Sequence, residues 1–272
     1  MLIFSLFVYI ATGCIAGYLA GLFGVGGGII IVPVLTTLFK EMGIESSVIM
    51  PLAIGTSMAV VFVTSMMGAR AHHANGNVDF KTAKELLPAI VVGVIIGAIV
   101  GSSISRNALA GCVIAFEVSI AGMFLYQVWH REGHAEEVAQ KQILQRRPMF
   151  VISGFLGVIS SVVGIAGGTL FVPLLGFDGI HMRKAIGTAS ALGVPISIIA
   201  AFVYIVMGLM GDKVLPAYSL GFVYLPAFAG CVIGSLWSTK HGAILGKRLN
   251  LRWLKLAFAL ILLAAASKML FS

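Results

Sequence analysis

Apolar residues run along this chain in long blocks broken by short polar or glycine-rich stretches, with no alternation of period two. Blocks fall near 2–22, 29–39, 47–69, 86–105 and 108–128, and again near 149–163, 169–177, 185–210, 216–238 and 251–271. Blocks of this length predict helices, and those near 20 residues are long enough to cross a hydrocarbon core of about 30 Å. Two are too short. Residues 29–39 rise about 16 Å as a helix and residues 169–177 less, roughly half of the core. Each follows a glycine cluster and contains a proline. The expected fold is an all-α polytopic membrane protein of about eight to ten segments.

One polar stretch, His130 to Pro148, interrupts the pattern. It holds seven of the 28 Lys, Arg, Asp and Glu residues: Arg131, Glu132, Glu136, Glu137, Lys141, Arg146 and Arg147. It is read as a cytoplasmic linker, forming a short surface helix, between a first membrane repeat (1–129) and a second (149–272). The halves resemble each other. Gly24–Leu35 aligns with Gly164–Leu175 at six identities in twelve, Ala53-Ile-Gly-Thr56 recurs as Ala185-Ile-Gly-Thr188, Leu87-Pro-Ala89 as Leu225-Pro-Ala227, and Gly93 and Gly97 as Gly230 and Gly234. An ordered series of matches at near-constant spacing marks an internal duplication.

Loop charge predicts how the halves are related. If the first two segments of each half begin and end on one face, the halves are inverted. With the N-terminus outside, the inside then receives Arg70, Lys81, Lys84, Arg131, Lys141, Arg146, Arg147, Arg183, Lys184, Lys240, Lys247, Arg248 and Arg252. The outside receives Lys40, Arg106, Lys213 and Lys268, a ratio of 13 to 4. A parallel arrangement gives at best 9 to 8. The positive-inside rule therefore predicts inverted repeats with both termini outside. Paired short, Gly/Pro-interrupted segments in inverted halves point to a transporter's binding site.

Composition narrows the function. Hydrophobic residues make up 59% of the 272, charged residues 10%, and the mean hydropathy is +1.05, against about 25% charged in soluble domains. This excludes a soluble enzyme, a nucleic-acid-binding domain and a disordered chain. The net charge of +8 belongs to the cytoplasmic loops. Met1–Ile10 lacks a basic n-region and reads as a retained first span. Cys14, Cys112 and Cys231 are far apart inside apolar segments and read as packing residues.

Candidate chemistry begins with the glycine clusters, Gly24, Gly26, Gly27 and Gly28, and Gly164, Gly167 and Gly168. Each opens onto a short helix whose N-terminus offers unpaired N–H groups and the positive end of a dipole, suited to an anion. Irregular backbone at membrane depth has to be buried or line a cavity. Hydroxyls follow the repeated Ala-Ile-Gly: Thr56 and Ser57, Thr188 and Ser190, with Thr169 opening the second short helix. These either donate to an anion or bond back to the helix carbonyl four residues earlier. Glu117 is the one acid well inside a span, a candidate proton-coupling group without a counterpart in the second half. His72 and His73 are placed in a cytoplasmic loop, and no H-E-x-x-H or G-x-S-x-G occurs. No cofactor or metal is expected. The expected partners are a small anionic substrate and the bilayer.

The stretch Gly21-Leu-Phe-Gly-Val-Gly-Gly-Gly-Ile-Ile-Ile-Val-Pro33, with Ala53–Ser57, Gly76-Asn-Val-Asp79, the second copy Gly164–Pro173 and Ala185–Thr188, resembles the signature of the sulfite exporter TauE/SafE family, also called the toluene-sulfonate uptake permease family. The resemblance implies a permease of the cytoplasmic membrane for sulfite, organosulfonates, thiosulfate or related small anions, and not an enzyme. The second copy has Ala166 where the first has Gly26, and Thr169 where it has Ile29, so the two half-sites are not expected to be equivalent. The residues thus favour a secondary transporter over a non-transporting membrane scaffold or an intramembrane enzyme.

Overall fold

The computed structural model describes residues 2–23, 27–129, 146–245 and 251–270. Among them are ten helices: α1 (Leu2–Phe23), α2 (Gly28–Glu41), α3 (Ser46–Ala74), α4 (Phe80–Ser103), α5 (Arg106–Trp129), α6 (Arg146–Val163), α7 (Gly168–Phe177), α8 (Met182–Met210), α9 (Leu225–Leu245) and α10 (Leu251–Leu270). A two-stranded antiparallel hairpin, β1 (Ser219–Leu220) and β2 (Val223–Tyr224), precedes α9. The chain is an all-α polytopic membrane protein. Helices α3, α4, α5 and α8 are long and apolar enough to cross a bilayer, and α1, α6, α7, α9 and α10 carry shorter apolar stretches. Exposed Val92, Ile96 and Val100 on α4 and Phe202 and Leu209 on α8 present the apolar surface that lipid covers.

Two expectations change. The block at 216–238 is not one helix, because its first residues fold as the hairpin and α9 starts at Leu225. Tyr218, at φ 66°, and Gly221, at φ 52°, turn the chain there, conformations that end a helix. His72 and His73 lie in the last turn of α3, not in a loop. Most of the linker at 130–148 lies outside the described residues, and its last three residues form the first turn of α6.

Helices α3 and α8, 29 residues each, form the central pair and run antiparallel. Gly55 near the start of α3 faces Tyr204 near the end of α8, Ser65 faces Gly193, and Gly68 faces Ser190. Around them each half packs its first helix on the fourth helix of the other. Gly13 and Gly17 of α1 meet Cys231 and Ser235 of α9, while Gly154 and Gly157 of α6 meet Ala89 and Ile90 of α4. In both pairs residue numbers rise together, so the helices are parallel. The main hydrophobic core accordingly draws on both halves, from Ile31 and Leu52 to Tyr204 and Cys231.

These contacts revise the repeat register. Gly157 meets Ile90 and Val94 as Gly17 meets Ser235 and Ser238, an offset of about 145 between the fourth helices. The Leu-Pro-Ala match implied 138. The difference is about two helical turns, so Leu87 and Leu225 do not occupy equivalent places.

Close approach in the α4–α6 pair depends on glycine. A Cβ on Gly93 would overlap the Gly154 carbonyl oxygen and lie 3.2 Å from the Val158 nitrogen. On the lipid-facing side of α5, Gly122 has open space around it. Gly93→Ala is expected to destabilise the fold by about 1–3 kcal/mol through overpacking. Gly122→Ala is expected to be neutral or to stabilise it by up to about 1 kcal/mol through helix propensity. Thermal unfolding of both variants in detergent measures this, and equal effects would show that the α4–α6 approach is not a close-packing constraint.

Candidate functional site

The two glycine-rich turns lie beside the central helix pair. Gly27 has φ 78° and Gly164 φ 83°, backbone that a side chain rarely adopts. A Cβ on Gly27 would lie 2.6 Å from the Ala16 carbonyl oxygen. Gly28 abuts the Gly164 carbonyl, and a Cβ on Gly164 would lie 2.8 Å from Val32 Cγ2. The start of α2 therefore packs directly on the turn that leads into α7. Ser57 joins them by donating to the Gly164 carbonyl at 3.0 Å, with the Gly28 carbonyl at 3.5 Å. Gly24 and Gly26 lie outside the described residues.

The second turn is held from α6. The amides of Gly164 and Ile165 both donate to the Ser160 carbonyl at 3.0 Å, and the Ser160 hydroxyl donates to the Ile165 carbonyl. Gly167 fits against the Ala189 carbonyl and the Gly193 amide of α8. The Phe171 amide donates to the Gly167 carbonyl at 2.7 Å. Gly168, Thr169 and Leu170 then carry the first-turn N–H groups of α7, which have no acceptor within the helix.

The hydroxyls divide into two kinds. Thr56 is fully buried, gives its proton to the Leu52 carbonyl at 2.6 Å and accepts the Tyr224 amide at 2.9 Å. Thr188, also fully buried, accepts the Asp79 amide at 2.9 Å. In the antiparallel pair these threonines sit toward opposite ends, on the order of 20 Å apart by helical rise, so they do not converge on one small anion. Thr169 Oγ1 and Ser190 Oγ are the other kind. Both are more than nine-tenths buried and have no hydrogen-bond partner. A buried polar atom without a partner costs about 1–3 kcal/mol, so such atoms stand out. Glu117, 1% exposed on α5 with Oε2 unpartnered, is a third.

Sequence reading missed what Thr56 and Thr188 hold. Each accepts the amide that immediately precedes the fourth helix of the other half. Beside each threonine is a glycine: Gly55 against the Phe222 carbonyl, Gly187 against the Asn77 carbonyl. Asp79 also caps α4 by accepting from the amides of Lys81 and Thr82, at 3.0 and 3.2 Å, and from the Thr82 hydroxyl at 2.8 Å. Burial acts to raise the Asp79 carboxyl, but the bonds from Thr82 and Lys81 and the charge of Lys184 outweigh it and hold it below the usual carboxylate range. The cap thus persists at neutral pH and is lost only as pH falls through that lowered value. The exact recurrence of Ala-Ile-Gly-Thr was the available signal.

The sulfite exporter TauE/SafE profile matches residues 9–269, nearly the whole fold and both turns. The chain belongs to the sulfite exporter TauE/SafE family. A probable membrane transporter protein of Haemophilus influenzae is 34% identical over 259 residues, covering 95% of each chain. Another probable membrane transporter, from Methanocaldococcus jannaschii, is 24% identical over 93% of this chain and 91% of its own. No solved structure matches. As a member of this family, the protein is a membrane transporter, and its glycine turns and buried hydroxyls are to be read in that light.

Proposed function

We propose that the protein is a secondary transporter of a small anion, sulfite, an organosulfonate or a related sulfur-containing or organic anion, working by alternating access between inverted halves. The observation that carries this reading is the pair of buried, unpartnered hydroxyls, Thr169 and Ser190, beside the glycine turns. In this reading they act as hydroxyl donors to the anion together with the first-turn N–H groups of α7 and α2. Lys40 stands in the last turn of α2, and Arg183 and Lys184 in the first turn of α8, away from this level. Binding then relies on partial charges and hydrogen bonds, which favours release as well as capture. The antiparallel run of α3 against α8 and the 13-to-4 loop charge support the inverted reading, with the cytoplasmic membrane as the location.

Removing an unpartnered hydroxyl leaves no protein group unsatisfied. Thr169→Val and Ser190→Ala are therefore expected to leave thermal stability unchanged or raised. Each should weaken binding by about 0.5–1.5 kcal/mol, the net value of a hydrogen bond. Titration of the purified variants with sulfite, thiosulfate, sulfonates and carboxylates tests this. Wild-type affinity in both moves the site elsewhere, and no binding by the wild type returns the protein to a scaffold role.

Direction sets the energy source. An outward-moving anion gains about 2.3 kcal/mol per charge per 100 mV from an inside-negative potential, so export needs no coupling ion, whereas concentrative uptake does. If the protein imports, Glu117 carries the proton. Glu117→Gln is expected to abolish concentrative uptake in proteoliposomes while sparing substrate exchange, and full uptake by that variant removes Glu117 from the mechanism.

Orientation follows from the same charge count. A reporter active only outside the cytoplasm, fused after Ser272, is expected to be active. Silence there, with activity of a cytoplasmic reporter at the same position, contradicts the inverted arrangement.

A further inference from the structure

Resting on the transport reading, we propose that the two Ala-Ile-Gly-Thr copies are gate latches, one at each membrane face, and that transport releases them one at a time. Thr188 with Gly187 holds the segment 75–79 at one face. Thr56 with Gly55 holds the segment 216–224 at the other.

The two sets of contacts are built alike. In each, a threonine hydroxyl accepts an amide at 2.9 Å from the residue just before a fourth helix, Asp79 or Tyr224. In each, the adjacent glycine admits the carbonyl two residues earlier, Asn77 or Phe222. The partners are 109 and 168 residues apart in sequence, so these bonds tie one half to the other. They are not ordinary helix caps. Asp79 already caps α4 with its own carboxylate, and the amide that Thr188 receives is that of the capping residue itself.

Placement gives the latches their function. They lie toward opposite ends of the α3–α8 pair, Thr188 two residues from the unpartnered Ser190 and beside Ala189, which Gly167 meets, and Thr56 beside Ser57, which holds the Gly164 turn. Each held segment leads into a helix that packs on the first helix of the opposite half, α4 on α6 and α9 on α1. Releasing a latch frees one such pair to tilt while the other stays docked. One side-chain hydrogen bond and one backbone contact across a glycine make a restraint weak enough to break in each cycle.

The latches are not equally strong. Around 216–224, the Phe222 amide donates to the Tyr204 carbonyl at 3.2 Å and Lys213 Nζ donates to the Ser47 carbonyl at 3.4 Å. The Tyr224 ring packs edge-on against Phe39 at 5.5 Å and Tyr9 at 6.4 Å. The 75–79 segment is tied mostly to the adjoining end of α3, by the Gly76 and Asn77 amides to the His73 and His72 carbonyls at 2.9 Å and the Asn75 side-chain amide to the Ala71 carbonyl at 2.7 Å, with the Lys184 charge near Asp79 reaching across from α8. The resting protein therefore opens more readily at the 75–79 face.

The test uses the full chain in sealed vesicles, with Cys14, Cys112 and Cys231 changed to Ala and Ser190→Cys as a reporter. A membrane-impermeant maleimide is applied to either face. Gly187→Ala places a Cβ on the Asn77 carbonyl and is expected to speed labelling only from the 75–79 face. Gly55→Ala, through Phe222, is expected to speed it only from the opposite face. Thr188→Val and Thr56→Val keep side-chain shape and are expected to act with the same sidedness, by roughly two- to tenfold for one lost hydrogen bond. Thr188→Ser is expected to restore the parental rate. Should the glycine variants fail to fold, the threonine variants decide alone. Faster labelling from one common face, or unchanged rates in variants that purify as a single species, overturns the proposal. Anion flux is measured in parallel on vesicles of the unaltered chain, which keeps Ser190. Sided labelling without flux defeats the transport reading and leaves the latches standing, whereas flux without sided labelling does the reverse.

Discussion

A helix broken inside a bilayer has no water to satisfy the N–H and C=O groups it releases, and most of this fold is arranged around that constraint. The turns at Gly27–Gly28 and Gly164–Gly168 are such breaks, and their partners come from neighbouring helices. Ser57 takes up the Gly164 carbonyl, and Ser160 closes the turn from the other side with its carbonyl and its hydroxyl. The amides entering α4 and α9 are met by Thr188 and Thr56. Backbones have to come close for such short side chains to reach, and small residues at the crossings allow it.

Once those groups are satisfied, what is left unsatisfied becomes informative. Thr169 and Ser190 keep hydroxyls that bond to nothing, and Glu117 keeps a carboxylate oxygen in the same condition. All three are buried, so none is relieved by solvent. Thr169 and Ser190 belong to the second half, and the first half has Ile29 and Met58 in the matching places. The two halves share a scaffold of turns, while the unpartnered hydroxyls fall on the second and the buried acid, Glu117, on the first.

Much of the fold was legible in the sequence because apolar block length reads directly as helix length, and duplication doubled every signal. The short helices α2 and α7 were predicted from a glycine cluster, a proline and too few residues to span. The register of the fourth helices was not. Leu-Pro-Ala and spaced glycines are common in apolar helices, so their match carried little positional information, and the hairpin at 219–224 consumed residues that hydropathy assigned to a helix. Within the candidate site, residue type identified Thr56 and Thr188 as important but not what they bind. A threonine that receives a distant amide and one that awaits a ligand have the same sequence. Only the partner distinguishes them, and the partners lie more than a hundred residues away.

The exchange of first and fourth helices between halves also constrains how the protein is made. α1 ends at Phe23 and its partner α9 begins at Leu225. At 5–20 residues per second, about ten to forty seconds pass before the ribosome supplies that partner. During that interval the α1 face bearing Gly13 and Gly17 rests against lipid or a chaperoning insertase. A face of glycines tolerates the wait, since it exposes no charged or unpaired side-chain group to hydrocarbon. By contrast, α6 emerges when α4 is already in place and can dock at once. Assembly therefore closes the α4–α6 side first and the α1–α9 side last, with the chain's earliest helix among the final pieces to be seated.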